Sequence, residues 1–280
     1  MTIRYPEKIA FANLPTPIQF LPRLSQAFGG TEIYCKRDDL TGIGLTGNKI
    51  RKLEFLFAEA KAHDAEVIIT CGGVQSNHAR ATAIAAAKAG LRSHLVLRAS
   101  STKALDGNLF IDRMVDAEIT FITKDEYETV DDHMSELVEQ YAAQGKKAYV
   151  IPEGGSNALG AFGYLAATEE IKNQLAEQEI AIDIVVLALG SGGTQAGLIL
   201  GNKVHKTGWQ IYGFNVCDSA QYFIDRIERI TQEWTQRFSK RVKISRDDIH
   251  IIDGYVGKGY GLSRREELET IKQVAQLEGL

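Results

Sequence analysis

Cysteine is scarce in this sequence. Cys35, Cys71 and Cys217 are the only three in 280 residues, and they lie far apart. An odd number at such spacing builds neither a disulfide framework nor a cysteine-ligated metal site. Buried, reduced thiols of a cytoplasmic protein are the reading that remains. The six histidines form no HxxxH-type pair, so no metal site is expected. Positive charge is not in excess: 32 Lys and Arg stand against 36 Asp and Glu, for a net charge of −4. That removes the electrostatic case for nucleic acid. No apolar run approaches the roughly 20 residues that a membrane span requires. The opening residues, Met1 to Lys8, lack the apolar core of a secretory signal.

What is present is ordinary for a globular protein: 44% hydrophobic residues, 24% charged residues and 26 glycines. The length suits one large or two modest domains. Apolar strand-like runs alternate with helical periodicity along most of the chain. Strands are expected at 32–37, 66–71, 93–97, 118–122, 148–151, 183–189 and 210–216. Helices are expected at 49–63, 79–89, 108–115, 131–143, 160–174, 219–238 and 263–277, with another after the loop at 190–194. Such alternation means βαβ units and parallel sheets in an α/β fold. Glycine clusters near 42–47 and 154–155 suggest a smaller inserted domain at 49–153 and a larger one from 1–48 plus 154–280.

Lys49 is the first candidate for chemistry. It follows Gly47-Asn48 and opens a helix whose Leu53, Leu56, Phe57 and Ala60 recur at helical spacing. Asn48 is the expected N-cap. A lysine on the first turn sits near the positive end of the helix dipole, which disfavours its ammonium form. A lowered pKa equips it to form a Schiff base with an aldehyde. Taken alone, a solvated lysine is the blander reading. The loop Gly190-Ser191-Gly192-Gly193-Thr194 joins an apolar strand to an apolar helix and reads as a phosphate cradle. It closes with no Gly-Lys-Ser/Thr, so it is not a Walker loop. It is also a poor dinucleotide fingerprint, with only Asn215 and Asp218 near the acidic position. A second strand-end loop carries Gln75, Ser76, Asn77 and His78, a set suited to a carboxylate, although Ser76 or Asn77 also suits helix capping. A third, Glu153 to Asn157, belongs to the same end of its strand. Tyr260, between two glycines, is either an acid–base phenol or a packing ring. An imine-forming lysine, a phosphate cradle and a carboxylate loop together match pyridoxal phosphate acting on an amino acid.

These residues resemble those of the D-cysteine desulfhydrase and 1-aminocyclopropane-1-carboxylate (ACC) deaminase family, within the fold type II (tryptophan synthase β-like) pyridoxal-phosphate enzymes. The motifs run in order through nearly the whole chain. They are Pro15-Thr16-Pro17, Lys36-Arg37-Asp38-Asp39, Gly47-Asn48-Lys49 with Arg51-Lys52-Leu53-Glu54, Gln75-Ser76-Asn77-His78, Pro152 to Asn157, Gly190 to Thr194 and Gly259-Tyr260-Gly261. The resemblance implies that Lys49 holds the cofactor, that Asn77 bonds its phenolic oxygen, and that Gly190, Ser191, Gly192, Gly193 and Thr194 bind its phosphate. It implies Ser76 at the reacting face, with Gln75, Asn77 and His78 on the substrate carboxylate, Tyr260 as an active-site tyrosine, and a homodimer. His78 matches the desulfhydrase pattern, where ACC deaminases usually carry glutamine. The expected activity is therefore carbon–sulfur lyase chemistry on D-cysteine. ACC deamination, or elimination from another substrate such as L-cysteate, is the alternative. Family chains continue into an Asp-Pro-Val-Tyr-Thr/Glu-Gly-Lys segment that follows the point where this sequence stops, Leu280. A non-catalytic pyridoxal-phosphate-binding protein is the alternative of another class.

Overall fold

The computed structural model describes residues 3–99, 105–258 and 261–280. The chain divides into two compact units. Among the described residues, one comprises the chain up to Asn13 and Asp39–Tyr164, the other Leu14–Asp38 and Leu165–Leu280.

The first unit is built on a four-stranded parallel sheet in the order β5-β4-β3-β6, made of β3 (Val67–Gly73), β4 (Arg92–Arg98), β5 (Glu118–Ile122) and β6 (Ala148–Val150). β3 is buried along nearly its whole length, as a strand covered on both faces must be. Successive side chains take opposite faces. Val67, Ile69, Cys71 and Val96 meet Met134, Leu137 and Tyr141 of α5 (Val130–Ala143). Leu95 and Leu97 meet Ala79 and Ala83 of α3 (Asn77–Ala89) and Leu109 of α4 (Gly107–Met114) on the other face.

The helix opened by Lys49 is α2 (Lys49–Ala62). Its expected apolar stripe, Leu53, Leu56, Phe57 and Ala60, is fully buried. At about 2 kcal/mol for each Leu or Phe, this face is a principal source of the unit's stability. The helix is not amphipathic as the periodicity suggested. Arg51, Lys52 and Glu54 are buried as well. Buried charge is tolerated only when paired or hydrogen-bonded, and Glu54 shows how this is met. Its carboxylate accepts the Phe11 and Ala12 backbone N–H groups, each at 2.9 Å, and the Lys8 ammonium at 2.9 Å. The segment before Asn13 is thereby tied to α2, and the Ile9 N–H donates to the Glu54 carbonyl besides.

The other unit carries a three-stranded parallel sheet, β7 (Ile184–Leu189), β8 (Gln210–Asn215) and β9 (His250–Ile252), and an antiparallel pair, β1 (Ile18–Phe20) with β2 (Tyr34–Lys36). Neither β1 nor β9 was expected. Three residues are too few to display an alternating pattern, and partner strands distant in sequence supply their bonds. Helix α8 (Ala220–Phe238) buries Phe223, Ile227, Ile230, Thr231 and Trp234, one helical face. Ser219 caps it by accepting the Tyr222 N–H at 3.2 Å. Helices α1 (Pro22–Ala27), α7 (Gly193–His205) and α9 (Arg265–Glu278) belong to this unit, and so does α6 (Phe162–Glu177) from Leu165 onward, its first turn belonging to the unit that holds α2. Among the described residues, no helix is long and apolar enough to cross a membrane.

Candidate active site

In open α/β sheets ligands bind beyond the carboxyl ends of the strands. β3 and β6 are neighbours, so the loops that leave them lie side by side. The first contains Gln75 and Ser76 and leads into α3; the second contains Glu153 to Asn157. Gly72 permits the first turn, because a Cβ there would fall 2.6 Å from Ser76 Cβ and Oγ. Gly154 and Gly155 take left-handed φ values of 68° and 60° in the second. A Cβ on Gly155 would stand 3.1 Å from Leu56 of α2 and 3.7 Å from the His78 ring. The second loop therefore packs on both α2 and the start of α3.

Lys49 occupies the first position of α2, half-buried. Its Nζ donates to Asn48 Oδ1 at 2.9 Å. Asn48 has helical backbone angles and makes no capping bond, so the expected N-cap is replaced by this contact with the lysine. The Lys49 pKa is lowered to about 8. Burial is the first cause; the nearby Glu153 carboxylate opposes it and the Arg80 guanidinium adds to it. At neutral pH roughly a tenth of the amine is thus uncharged and nucleophilic, against well under a hundredth for an ordinary lysine near 10.4.

Ser76 caps α3, its Oγ accepting the Ala79 N–H at 3.2 Å. The hydroxyl proton remains available for another acceptor. Gln75 and Asn77 are exposed. His78 is 2% exposed, and its Nε2 lies 2.9 Å from Thr70 Oγ1. Thr70 donates its own proton to the Ile151 carbonyl at 2.7 Å, so the imidazole must be the donor in this pair. Burial, with Lys52 and Lys49 nearby, holds the His78 pKa well below its usual value. His78 is thus a neutral imidazole beneath the loop. Asn157 caps locally, its Oδ1 accepting the Gly160 N–H at 2.8 Å, while Ser156 Oγ receives the Lys52 ammonium at 3.4 Å.

In the other unit, Gly190–Thr194 joins the end of β7 to the start of α7. Gly192 has φ 82°, and a Cβ there would press on Ile227 Cγ1 of α8 at 3.3 Å. Glycine lets the chain turn so that the first backbone N–H groups of α7 gather at the positive helix end. Asn215, at the end of β8, donates to the Asp253 carboxylate at 3.0 Å and to the Asp218 carbonyl at 2.9 Å. Tyr260 and Gly259 lie outside the described residues.

Three residues that periodicity did not single out belong to the same surroundings. Arg80 donates to the Thr46 carbonyl at 2.9 Å, three residues before Lys49, and to Asn108 Oδ1 at 3.1 Å. Asn108 reaches the Gln75–Asn77 turn. Asp112 is fully buried and neither of its oxygens has a hydrogen-bond partner among the described residues. Burial raises its pKa to about 7, against the pull of Arg80. The folded chain therefore holds this proton up to about pH 7, while the unfolded chain releases it near 4. Stability falls as pH rises across that window and is level above it. Asp112→Asn is expected to remove this contribution, so that the gap between variant and parent widens by on the order of 2 kcal/mol from pH 5 to pH 8. Urea midpoints at the two pH values measure it, and an identical gap at both would refute it.

The α/β architecture, parallel sheets flanked by helices, is the one found in the fold type II pyridoxal-phosphate enzymes. The chain belongs to the family described as pyridoxal-phosphate dependent enzymes, whose model matches residues 9–280. It is 43% identical to an Arabidopsis thaliana protein named bifunctional D-cysteine desulfhydrase/1-aminocyclopropane-1-carboxylate deaminase, mitochondrial, over 97% of this chain and 68% of that one. It is 43% identical to a putative 1-aminocyclopropane-1-carboxylate deaminase of Thermotoga maritima, over 98% and 86%. It is 37% identical to the D-cysteine desulfhydrase of Salmonella typhimurium, over 99% and 84%. The crystal structure of an ACC deaminase homologue superposes with a TM-score of 0.89 at 36% identity, over 99% of this chain and 82% of that one. The cofactor is therefore pyridoxal phosphate. Each unit holds groups of the right chemistry: in one, an amine of lowered pKa suits the cofactor's aldehyde and an exposed amide suits its phenolic oxygen; in the other, a glycine-turned helix start suits a phosphate.

Proposed function

We propose that this enzyme carries out β-elimination on D-cysteine, giving pyruvate, ammonia and hydrogen sulfide. The observation that carries the reading is the Lys49 amine, lowered to about 8 at the start of α2. Lys49 would hold the cofactor through its aldehyde, Gly190, Ser191, Gly192, Gly193 and Thr194 would take its phosphate, and the Asn77 amide would donate to its phenolic oxygen. When bound, the cofactor withdraws electrons from the substrate's Cα and so makes loss of the α-proton feasible. The Lys49 amine, its pKa lowered to about 8, would be the base that receives that proton. Ser76 presents a hydroxyl for proton relay, and Tyr260 is a further acid–base candidate. Gln75 and Asn77 meet the substrate carboxylate from the loop, with His78 supporting them from below. The β-sulfur leaves as hydrogen sulfide, and hydrolysis of the three-carbon enamine yields pyruvate and ammonia. The assembly we expect is a cytoplasmic homodimer.

His78 favours D-cysteine over ACC, because the deaminase pattern carries glutamine at that position. The relatives named for ACC deamination support the runner-up, ring opening of ACC. Side-by-side turnover of D-cysteine, L-cysteate and ACC decides between them. Sulfide and pyruvate in equal amounts from D-cysteine are expected. Release of 2-oxobutyrate from ACC, with D-cysteine left untouched, would replace this reading with the runner-up.

A further inference from the structure

We propose that Asn108 is a positioning residue that fixes the hydrogen-bonding sense of Asn77 and so presents its amide N–H groups to the bound cofactor. This rests on the reading above that Asn77 meets the phenolic oxygen.

An asparagine amide can be turned either way, and only partners of unambiguous type decide its orientation. Asn108 has two such partners. Its Oδ1 lies 3.1 Å from an Arg80 nitrogen, and a guanidinium only donates. Its Nδ2 lies 2.8 Å from the Gln75 backbone carbonyl, which only accepts. Asn108 is therefore set with its carbonyl toward Arg80 and its amino group toward the turn. That amino group also lies 2.9 Å from Asn77, so the atom facing it must be the Asn77 carbonyl oxygen, Oδ1. The Asn77 amino group consequently points elsewhere, and among the described residues nothing accepts from it. Asn77 is exposed, so this donor pair is available to a ligand.

The supports are themselves anchored. The Asn108 N–H donates to Gln75 Oε1 at 2.8 Å, and Gln75 Nε2 donates to the Asp106 carboxylate at 3.0 Å. Gly107 belongs to the same contact, since a Cβ there would fall 2.5 Å from Gln75 Oε1. Arg80 holds the Thr46 carbonyl with its other nitrogen. One guanidinium therefore links the approach to Lys49 with the orientation of Asn77. A donor held toward a phenolic oxygen favours its anionic form, so the cofactor itself reports on this arrangement.

The test is a double-mutant cycle on the full chain, read by titrating the cofactor-free protein with pyridoxal phosphate and by the pH midpoint of the bound cofactor's visible band. Asn108→Ala sits at a half-buried second position of α4, where alanine is favourable to the helix. It should weaken cofactor binding by about tenfold and raise the midpoint. In an Asn77→Ala background the same change should leave both readouts unaltered, because Asn108 then has nothing to orient. Equal losses in both backgrounds, or none in the parent, would overturn the positioning role. If Asn77→Ala alone altered neither readout, the reading of Asn77 as a cofactor ligand would fall, and the positioning role with it.

Discussion

Lys49→Ala is expected to lower sulfide release from D-cysteine by at least about a thousandfold and to abolish the visible band of the bound cofactor. Alanine is the residue best suited to a helix, and Lys49 is the first residue of α2, so the fold should persist. Lys49→Arg should fare no better, because a guanidinium cannot be deprotonated in this range. The pH dependence is equally specific. A base with a lowered pKa becomes uncharged earlier as pH rises. Attachment of pyridoxal phosphate to cofactor-free protein should therefore accelerate through about pH 8 and level off above it. An ordinary lysine would still be gaining rate near pH 10. Borohydride trapping followed by peptide mass measurement identifies the residue and the midpoint together. Sulfide release retained in Lys49→Ala would remove the lysine from the chemistry.

Gly163→Ala should be strongly destabilising for so small a change. Gly163 lies on the first turn of α6, and a Cβ there would fall 2.6 Å from the Arg51 backbone C and O and 2.7 Å from the Lys52 N. These are backbone atoms of a helix buried on nearly all sides, so no side chain can swing aside. Overpacking of that kind costs about 3 kcal/mol or more. At this chain length such a loss lowers the melting temperature by about 6–12 °C. Because α2 carries Lys49, turnover should fall even where the variant remains folded. Gly73→Ala is the control for stability, since a Cβ at Gly73 meets nothing within 4 Å. A Gly163→Ala protein that melted with the parent would mean that the first turn of α6 does not pack on α2 as described.

The same two helices show where sequence reading succeeds and where it stops. Alternation of strand and helix was legible because burial repeats with period 2 or 3.6, and the strand Glu118–Ile122 falls where the pattern put it. The loops after β3, β6 and β7 were legible because glycine and small polar residues punctuate apolar runs. Burial of Arg51, Lys52 and Glu54 was not legible, because a charged residue reads as solvent-facing until its partners are known. The partners of Glu54 are backbone groups more than forty residues away. Asn48 looked like a cap by type and position, but its backbone is already helical. Arg80, Asn108 and Asp112 carried no signal at all, since the fold alone brings Asn108 to Gln75 across 33 residues. The roles of Lys49, Ser76, Asn77 and the 190–194 loop came from chemistry and resemblance and stand as proposals, of which the variants above address Lys49 and Asn77.

The most direct test of the central claim is the visible absorption spectrum of the protein with pyridoxal phosphate, recorded before and after D-cysteine is added, with sulfide and pyruvate measured in the same sample. The account predicts a band that depends on Lys49, shifts on mixing, and returns as the two products accumulate in equal amounts. A band that D-cysteine leaves unchanged while no sulfide appears would contradict the proposed activity. Binding of the cofactor with no turnover of D-cysteine, L-cysteate or ACC would contradict every lyase reading of this chain.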